Sequence, residues 1–280
     1  MIAAKGRGGV MAAQSHEHLA ISIAAERGWR RRTAGLPSGG TALKPLLVTD
    51  FPFDVIVFDL DGTLADTAPD LAAVLNHVLT RLGRGTVPVE SVRHLVGHGA
   101  RALLRNGLGA TGEASEELVE AAFPLYMEHY SANICRGTKA YPGIEAALDD
   151  LVARGVALAV CTNKMESLTL KLLDALGWSR RFQAMVGGDT LAARKPDPAP
   201  LREAVARAGG GRAAFVGDSI VDADTARAAG LPFVAVSFGF SDRPAIELGA
   251  DAVIDRFDEL VPVLERLGST VSSESRPHSD

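Results

Sequence analysis

Apolar residues fall along the chain in two spacings. Short unbroken runs recur at Val55-Ile56-Val57-Phe58, Val156 to Cys161, Ala184-Met185-Val186, Ala213 to Val216, Pro232 to Val236 and Ala252-Val253-Ile254. Continuous apolar runs rich in β-branched residues predict strands buried on both faces, as in a parallel sheet. Between them lie stretches of helical spacing, at 144–154, from Lys164 to Leu176-Gly177, and at 198–208, 222–229 and 259–267. Strand alternating with helix predicts an α/β fold with a doubly wound, mostly parallel sheet. Right-handed crossovers then bring every strand C-terminus to one edge.

The alternation is interrupted once. From Pro69 to about Asn133 the spacing is helical throughout. Leu71, Val74, Leu75, Val78, Leu79 and Leu82 make one apolar face. Asp66 or Thr67 is placed to cap that helix, with Pro69 and Asp70 in its first turn. Gly83-Arg84-Gly85 ends it, and further segments follow around Val89–Leu95, Ala100–Leu108 and Glu116–Tyr130. The expected organisation is therefore a core of residues 51–66 and 139–268, with a helical insertion at 67–138. Residues 1–50, rich in Gly and Ala with a basic Arg30-Arg31-Arg32, read as a disordered extension; a weak amphipathic helix near 17–29 with a targeting role is the alternative. Residues 269–280 are polar and Ser-rich and read as a flexible tail.

Composition adds little but excludes some functions. At 280 residues with 47% apolar and 22% charged positions, the chain can bury a large core. A net charge of −5 argues against a nucleic-acid or membrane-surface partner. No apolar run reaches the length of a membrane span. The two cysteines, Cys135 and Cys161, make no disulfide framework and suit a reducing cytoplasm. Cys161, at the end of a strand, reads as a small core residue rather than a nucleophile.

The candidate chemistry sits at the strand ends. The first strand runs into Asp59-Leu60-Asp61-Gly62. Residues two apart on a strand point the same way, and open α/β sheets bind ligands at this edge. An Asp-Gly alone is often only a turn. Two more strands, however, deliver Thr162-Asn163 and Asp218 with Asp222 to the same edge, and Lys195-Pro196 lies between them in sequence. Such a set suits a phosphate and a divalent cation. A carboxylate can attack phosphorus and form an aspartyl-phosphate. Two anions then meet, so Mg²⁺ on carboxylate oxygens and the Lys195 ammonium must balance them. The second aspartate can protonate the leaving oxygen and later deprotonate water.

Asp59-Leu60-Asp61-Gly62-Thr63-Leu64, Thr162-Asn163, Lys195-Pro196 and Gly217-Asp218-Ser219-Ile220-Val221-Asp222 stand in the order of the four motifs of the haloacid dehalogenase (HAD) superfamily. The chain resembles a phosphatase of that superfamily over roughly Asp54 to Leu267. The resemblance implies a Rossmann-like core with an α-helical cap in the insertion. It implies Asp59 as nucleophile, Asp61 as acid/base and Lys195 as a third catalytic residue. Gly62, Thr162, Asn163 and Lys195 would bind phosphate. Mg²⁺ would be bound by Asp59, the Asp61 main-chain carbonyl and Asp218, with Asp222 close by. Intact Asp61 separates the chain from the dehalogenase branch.

Asp66-Thr67-Ala68-Pro69-Asp70-Leu71 and Val96-Gly97-His98-Gly99-Ala100-Arg101 resemble the bacterial phosphoglycolate phosphatase subfamily. That resemblance implies hydrolysis of 2-phosphoglycolate to glycolate and phosphate. Arg101 would clamp the substrate carboxylate, with Gly99 and His98 beside it; the alternative is a helix–helix turn and a solvated arginine. Other readings are a hydrolase for a sugar phosphate, N-acetylmuramate 6-phosphate or pyrophosphate, and a phosphotransferase of the β-phosphoglucomutase type. A non-enzymatic binding protein on the same fold is the third class, disfavoured by intact Asp59 and Asp218. The expected partner is a small phosphorylated metabolite, with no nucleic acid or membrane, in a cytoplasmic monomer or homodimer.

Overall fold

The computed structural model describes residues 51–274. In chain order it contains β1 (Val55–Phe58), β2 (Ala65–Asp66), α1 (Ala68–Arg81), α2 (Val89–Arg93), α3 (Ala100–Thr111), α4 (Glu116–Ala132) and β3 (Lys139–Ala140). There follow α5 (Ile144–Ala153), β4 (Ala157–Cys161), α6 (Glu166–Ala175), β5 (Ala184–Val186) and α7 (Ala199–Arg207). The remainder is β6 (Ala213–Gly217), α8 (Ile220–Ala229), β7 (Phe233–Val236), β8 (Ala252–Ile254) and α9 (Leu260–Glu274).

The main sheet has the order β5-β4-β1-β6-β7-β8, and every neighbouring pair is parallel. This is the doubly wound sheet expected from the alternation. The chain leaves β1 in one direction through β4 and β5, then crosses to β6 on its other side, so β1 lies where the winding reverses. Its side chains serve both faces. Ile56 and Phe58 pack with Leu158, Val160, Ala214 and Val216 under α5 and α9. Val55 and Val57 pack with Ala159, Cys161, Ala213 and Phe215 under α7 and α8. The period of two that puts neighbours on opposite faces therefore explains why these strands are apolar at every position. Cys161 is fully buried in the second layer, and burial pushes its thiol up to about 12.

The insertion has its own core. Leu71, Leu75, Val78 and Leu79 of α1 meet Leu104 of α3 and Tyr126 of α4. Gly107 permits this packing, because a Cβ there would lie 2.5 Å from Leu75 Cδ1. The two connections between insertion and sheet run side by side. β2 and β3 pair antiparallel, Ala65 with Ala140 and Asp66 with Lys139. Nothing in the sequence marks this ribbon, because each strand is too short to show a period.

Two other expectations need adjustment. Thr67 occupies the N-cap position of α1 but makes no side-chain cap, its hydroxyl being engaged elsewhere; Asp66 Oδ1 accepts from Ala68 N instead. The helix expected to end near Leu267 continues as α9 to Glu274, into the stretch expected to be a loose tail. Ser269 supports the extension by donating its hydroxyl to Glu265 O at 2.9 Å. The expectations for residues 1–50 lie outside the described residues, as does the tail beyond 274.

Asp70 fastens the insertion to its return segment. Its buried carboxylate accepts from Gly137 N, Thr138 N and the Thr138 hydroxyl at 2.7–2.8 Å. Asp70→Ala strands these donors and should destabilise the fold by about 2–4 kcal/mol. Urea denaturation of both proteins checks this; an unchanged midpoint would show that water replaces the carboxylate at no cost.

Candidate active site at the carboxyl edge of the sheet

The Asp59 N–H bonds to Val216 O at 2.9 Å, so the ladder between β1 and β6 continues one residue beyond the strand. The chain then turns sharply, with Leu60 O accepting from the N–H groups of Thr63, Leu64 and Ala65. Gly62 makes the turn at φ +84°, and a Cβ on it would lie 2.4 Å from Asp218 Oδ2. Its N–H donates to Ala65 O. Gly62 thus brings two loops together, and its amide is not turned to a ligand as the resemblance implied.

A dense charge cluster lies beneath this turn. Lys195 Nζ sits 2.9 Å from Asp59 Oδ1 and 2.6 Å from Asp222 Oδ1. Asp222 Oδ2 accepts from Ser219 N, the Ser219 hydroxyl and Asp218 N, closing a capping box at the start of α8. Asp218 Oδ1 accepts from the Thr63 hydroxyl at 2.8 Å, and Oδ2 from Phe240 N at 2.7 Å. All four charged side chains are buried. Burial would drive Lys195 neutral, but the Asp222 and Asp59 carboxylates outweigh it and keep the ammonium charged. Burial pushes Asp59 up to about 6, against the pull of Lys195 and with the repulsion of Asp222 and Asp61. Asp218 is raised well above the usual carboxylate range by burial, then by Asp222 and Asp59.

These carboxylates have more negative charge than one lysine balances. Ligand atoms of Asp59, Asp218 and Asp222 lie within 4.8 Å of one another. Asp59 Oδ1, although ion-paired with Lys195, has no well-directed hydrogen bond. An all-oxygen, crowded anionic set of this kind fits a hard divalent cation. Within it Asp222 differs from the other two. Both its oxygens are already engaged by Lys195 and by the turn at Ser219, so it suits orienting the lysine better than direct coordination.

Asp61 points elsewhere. Its carboxylate accepts from Lys164 Nζ at 2.8 and 3.1 Å and from the Thr67 hydroxyl at 2.7 Å. Lys164 Nζ also contacts the Tyr130 hydroxyl at 2.8 Å. Thr162 Oγ1 accepts from Lys164 N, which leaves its own proton free to donate. Asn163 Nδ2 donates to Gly97 O in the insertion at 2.9 Å and to Lys195 O at 3.1 Å. Its amide is therefore a brace between the insertion and the lysine loop. Sequence reasoning missed Lys164, although an apolar strand ending in a lysine at this edge was a signal. Nothing local marks Tyr130; Thr63 and Thr67 stood in the quoted stretches, but without the contacts to Asp218 and Asp61 that the fold gives them.

Between this edge and the insertion lies a narrow cleft, partly open to solvent. Asp59, Asp61, Thr162 and Lys164 line one side, and Leu71, Leu103 and Tyr126 the other. Gly99, at the N-terminus of α3, lines it too, and a Cβ there would lie 3.1 Å from Asn163 O. His98 and Arg101 are not brought to it. His98 is exposed. Arg101 lies on the outer face of α3, paired with Glu120 at 2.6 Å and stacked over Phe123. The expected carboxylate clamp is corrected accordingly. The buried face of α3 is set by Leu103, Leu104, Gly107 and Leu108, and Arg101 and Arg105 lie about a quarter turn or more from its centre, on the flank that meets α4.

Known proteins resemble the chain in both sequence and fold. A family model for haloacid dehalogenase-like hydrolases matches residues 56–236. A phosphoglycolate phosphatase of Mesorhizobium japonicum is 46% identical over 76% of this chain and 96% of its own length. One from Agrobacterium fabrum is 43% identical over 74% and 91%. The crystal structure of a predicted phosphoglycolate phosphatase from Haemophilus somnus superposes with a TM-score of 0.72 at 30% identity, covering 76% of this chain and 98% of that one. The family match spans Asp59, Thr162, Lys195 and Asp218, and the relatives are covered almost end to end. The chain belongs to the haloacid dehalogenase-like hydrolases.

Proposed function

We propose that the protein hydrolyses 2-phosphoglycolate to glycolate and phosphate, with Mg²⁺ as its metal. The observation that carries the substrate is the name borne by relatives more than 40% identical along nearly their whole length. The family generally uses a divalent metal, and the buried acidic cluster fits one. Asp59, Asp218 and the Asp61 main-chain carbonyl are the groups to hold it. Once bound, it would offset the charge that gathers as two anions approach.

Asp59 attacks phosphorus, the ester P–O bond breaks, and an aspartyl-phosphate forms. Asp61 gives its proton to the departing oxygen, then takes one from the water that frees phosphate. Lys195 holds Asp59 in place and faces the phosphoryl oxygens with positive charge, while Asp222 orients Lys195. The Thr162 hydroxyl donates to a phosphoryl oxygen. Asn163 fixes the lysine loop and the Gly97 turn relative to each other. Residues 67–138 act as a cap over the cleft, excluding water and choosing the leaving group.

Phosphate release from a panel of esters, with Mg²⁺ or with EDTA, tests this. For 2-phosphoglycolate, kcat/KM should exceed that for any sugar phosphate, N-acetylmuramate 6-phosphate or pyrophosphate by about a hundredfold or more. EDTA should abolish turnover, and Mg²⁺ should restore it. A different best ester would overturn the substrate and leave the chemistry in place. Turnover that survives EDTA would overturn the metal.

A further inference from the structure

We propose that Lys164 selects for a carboxylate on the leaving group. This rests on the phosphatase reading above and assigns a recognition residue that the motifs do not supply.

The cleft beyond Asp61 is largely apolar, walled by Leu71, Val96, Leu103, Met165 and Leu168. A carboxylate placed there without a partner would be strongly disfavoured. Lys164 is the sole basic side chain among the residues lining the cleft. Arg101, which the sequence offered for the task, is committed to Glu120 outside it. Lys195 is committed to Asp59 and Asp222 at the phosphoryl end.

Position favours Lys164. The proposed acid Asp61 must touch the ester oxygen, and Lys164 Nζ is 2.8 Å from Asp61 Oδ1. In 2-phosphoglycolate a single methylene separates the ester oxygen from the carboxylate. A group that touches the acid is therefore within reach of the carboxylate as well. An ammonium has three donors. They meet both Asp61 oxygens, at 2.8 and 3.1 Å, and the Tyr130 hydroxyl at 2.8 Å, so an arriving carboxylate oxygen takes over the donor of the longer Asp61 contact. The side chain is 4% exposed and pinned by Tyr130 below it, whose ring lies 4.8 Å from Nζ, so little ordering remains to be done on binding.

Ethyl phosphate is the matched probe, being 2-phosphoglycolate with a methyl in place of the carboxylate. In the Mg²⁺-loaded enzyme, Lys164→Gln should lower the ratio of kcat/KM for 2-phosphoglycolate over ethyl phosphate by about thirtyfold or more, chiefly through KM. Equal losses on both esters would mean that Lys164 serves only Asp61, and would overturn the proposal. If the variant turns over neither ester, calorimetric binding of both in the Asp59→Asn background gives the same ratio. A ratio unmoved by Lys164→Gln there overturns the proposal too. The substrate reading fails separately. If the wild-type enzyme prefers another carboxylated ester, such as 3-phosphoglycerate, the named substrate is wrong. A selective loss of that ester in Lys164→Gln would still support Lys164.

Discussion

Asp59→Asn is expected to lower kcat for any phosphate ester by a factor on the order of 10⁴ or more, because an amide oxygen is a poor nucleophile toward phosphorus. The protein should not pay for this in stability. The Asp59 carboxyl is raised to about 6 in the fold, from a reference value of 3.8. A carboxyl raised on folding binds protons more tightly in the native state. Its ionisation then works against the fold, increasingly as pH rises from 3.8 through about 6, and in full above that. The neutral amide removes this opposition. In EDTA at pH 7 the variant should melt at or above the temperature of the parent, and the difference should vanish near pH 4. Single-turnover assays and thermal melts across that range check both halves. A variant that is inactive and much less stable would mean that the ion pair with Lys195 outweighs the burial of Asp59.

Lys195→Met is expected to affect stability most. The Lys195 side chain is 1% exposed, and Asp222 beside it is fully buried. Removing the ammonium leaves buried carboxylates without their counter-charge, a change that costs about 3–5 kcal/mol. For a domain of this size that lowers Tm by roughly 10 °C in EDTA. Mg²⁺ should recover part of the loss by supplying positive charge to Asp59 and Asp218. Adding Asp222→Asn should recover more, because the remaining unpaired charge is then gone. Activity should fall by about 10²–10³-fold even with Mg²⁺ present, since the phosphoryl oxygens lose a fixed cation. Melts of the single and double variants in EDTA, within 1 kcal/mol of the parent, would show that Lys195 does not balance the carboxylates.

The elements that the sequence made legible are those whose information is local. Val55–Phe58 announces both a strand and its two buried faces, and Asp59 follows directly. Thr162, Lys195 and Asp218 were found because each sits in a short segment at a strand end or its loop. What escaped depends on contacts between distant segments. The pair of Lys164 with Asp61 spans 103 residues, and Tyr130 reaches Lys164 from a helix of the insertion. The N–H of Gly62 and the amide of Asn163 are taken by neighbours that only the folded turn defines. Arg101 escaped for the same reason: what holds it away from the cleft is Glu120 on the next helix, as Glu116 holds Arg105.

The β2–β3 ribbon has a consequence for how the leaving-group chamber can change. Both ends of the insertion enter and leave at hydrogen-bonded neighbours, Asp66 opposite Lys139. To the core the whole insertion is thus a loop whose ends are already closed. The entropy of closing a loop grows only with the logarithm of its length, about 0.6 kcal/mol for each doubling. Residues between the two strands can therefore be shortened, lengthened or exchanged for another packed unit at small cost to the sheet, provided the ribbon survives. The carboxyl edge of the sheet and the helices that wall its cleft are joined by a fitting that lets one vary while the other stays fixed.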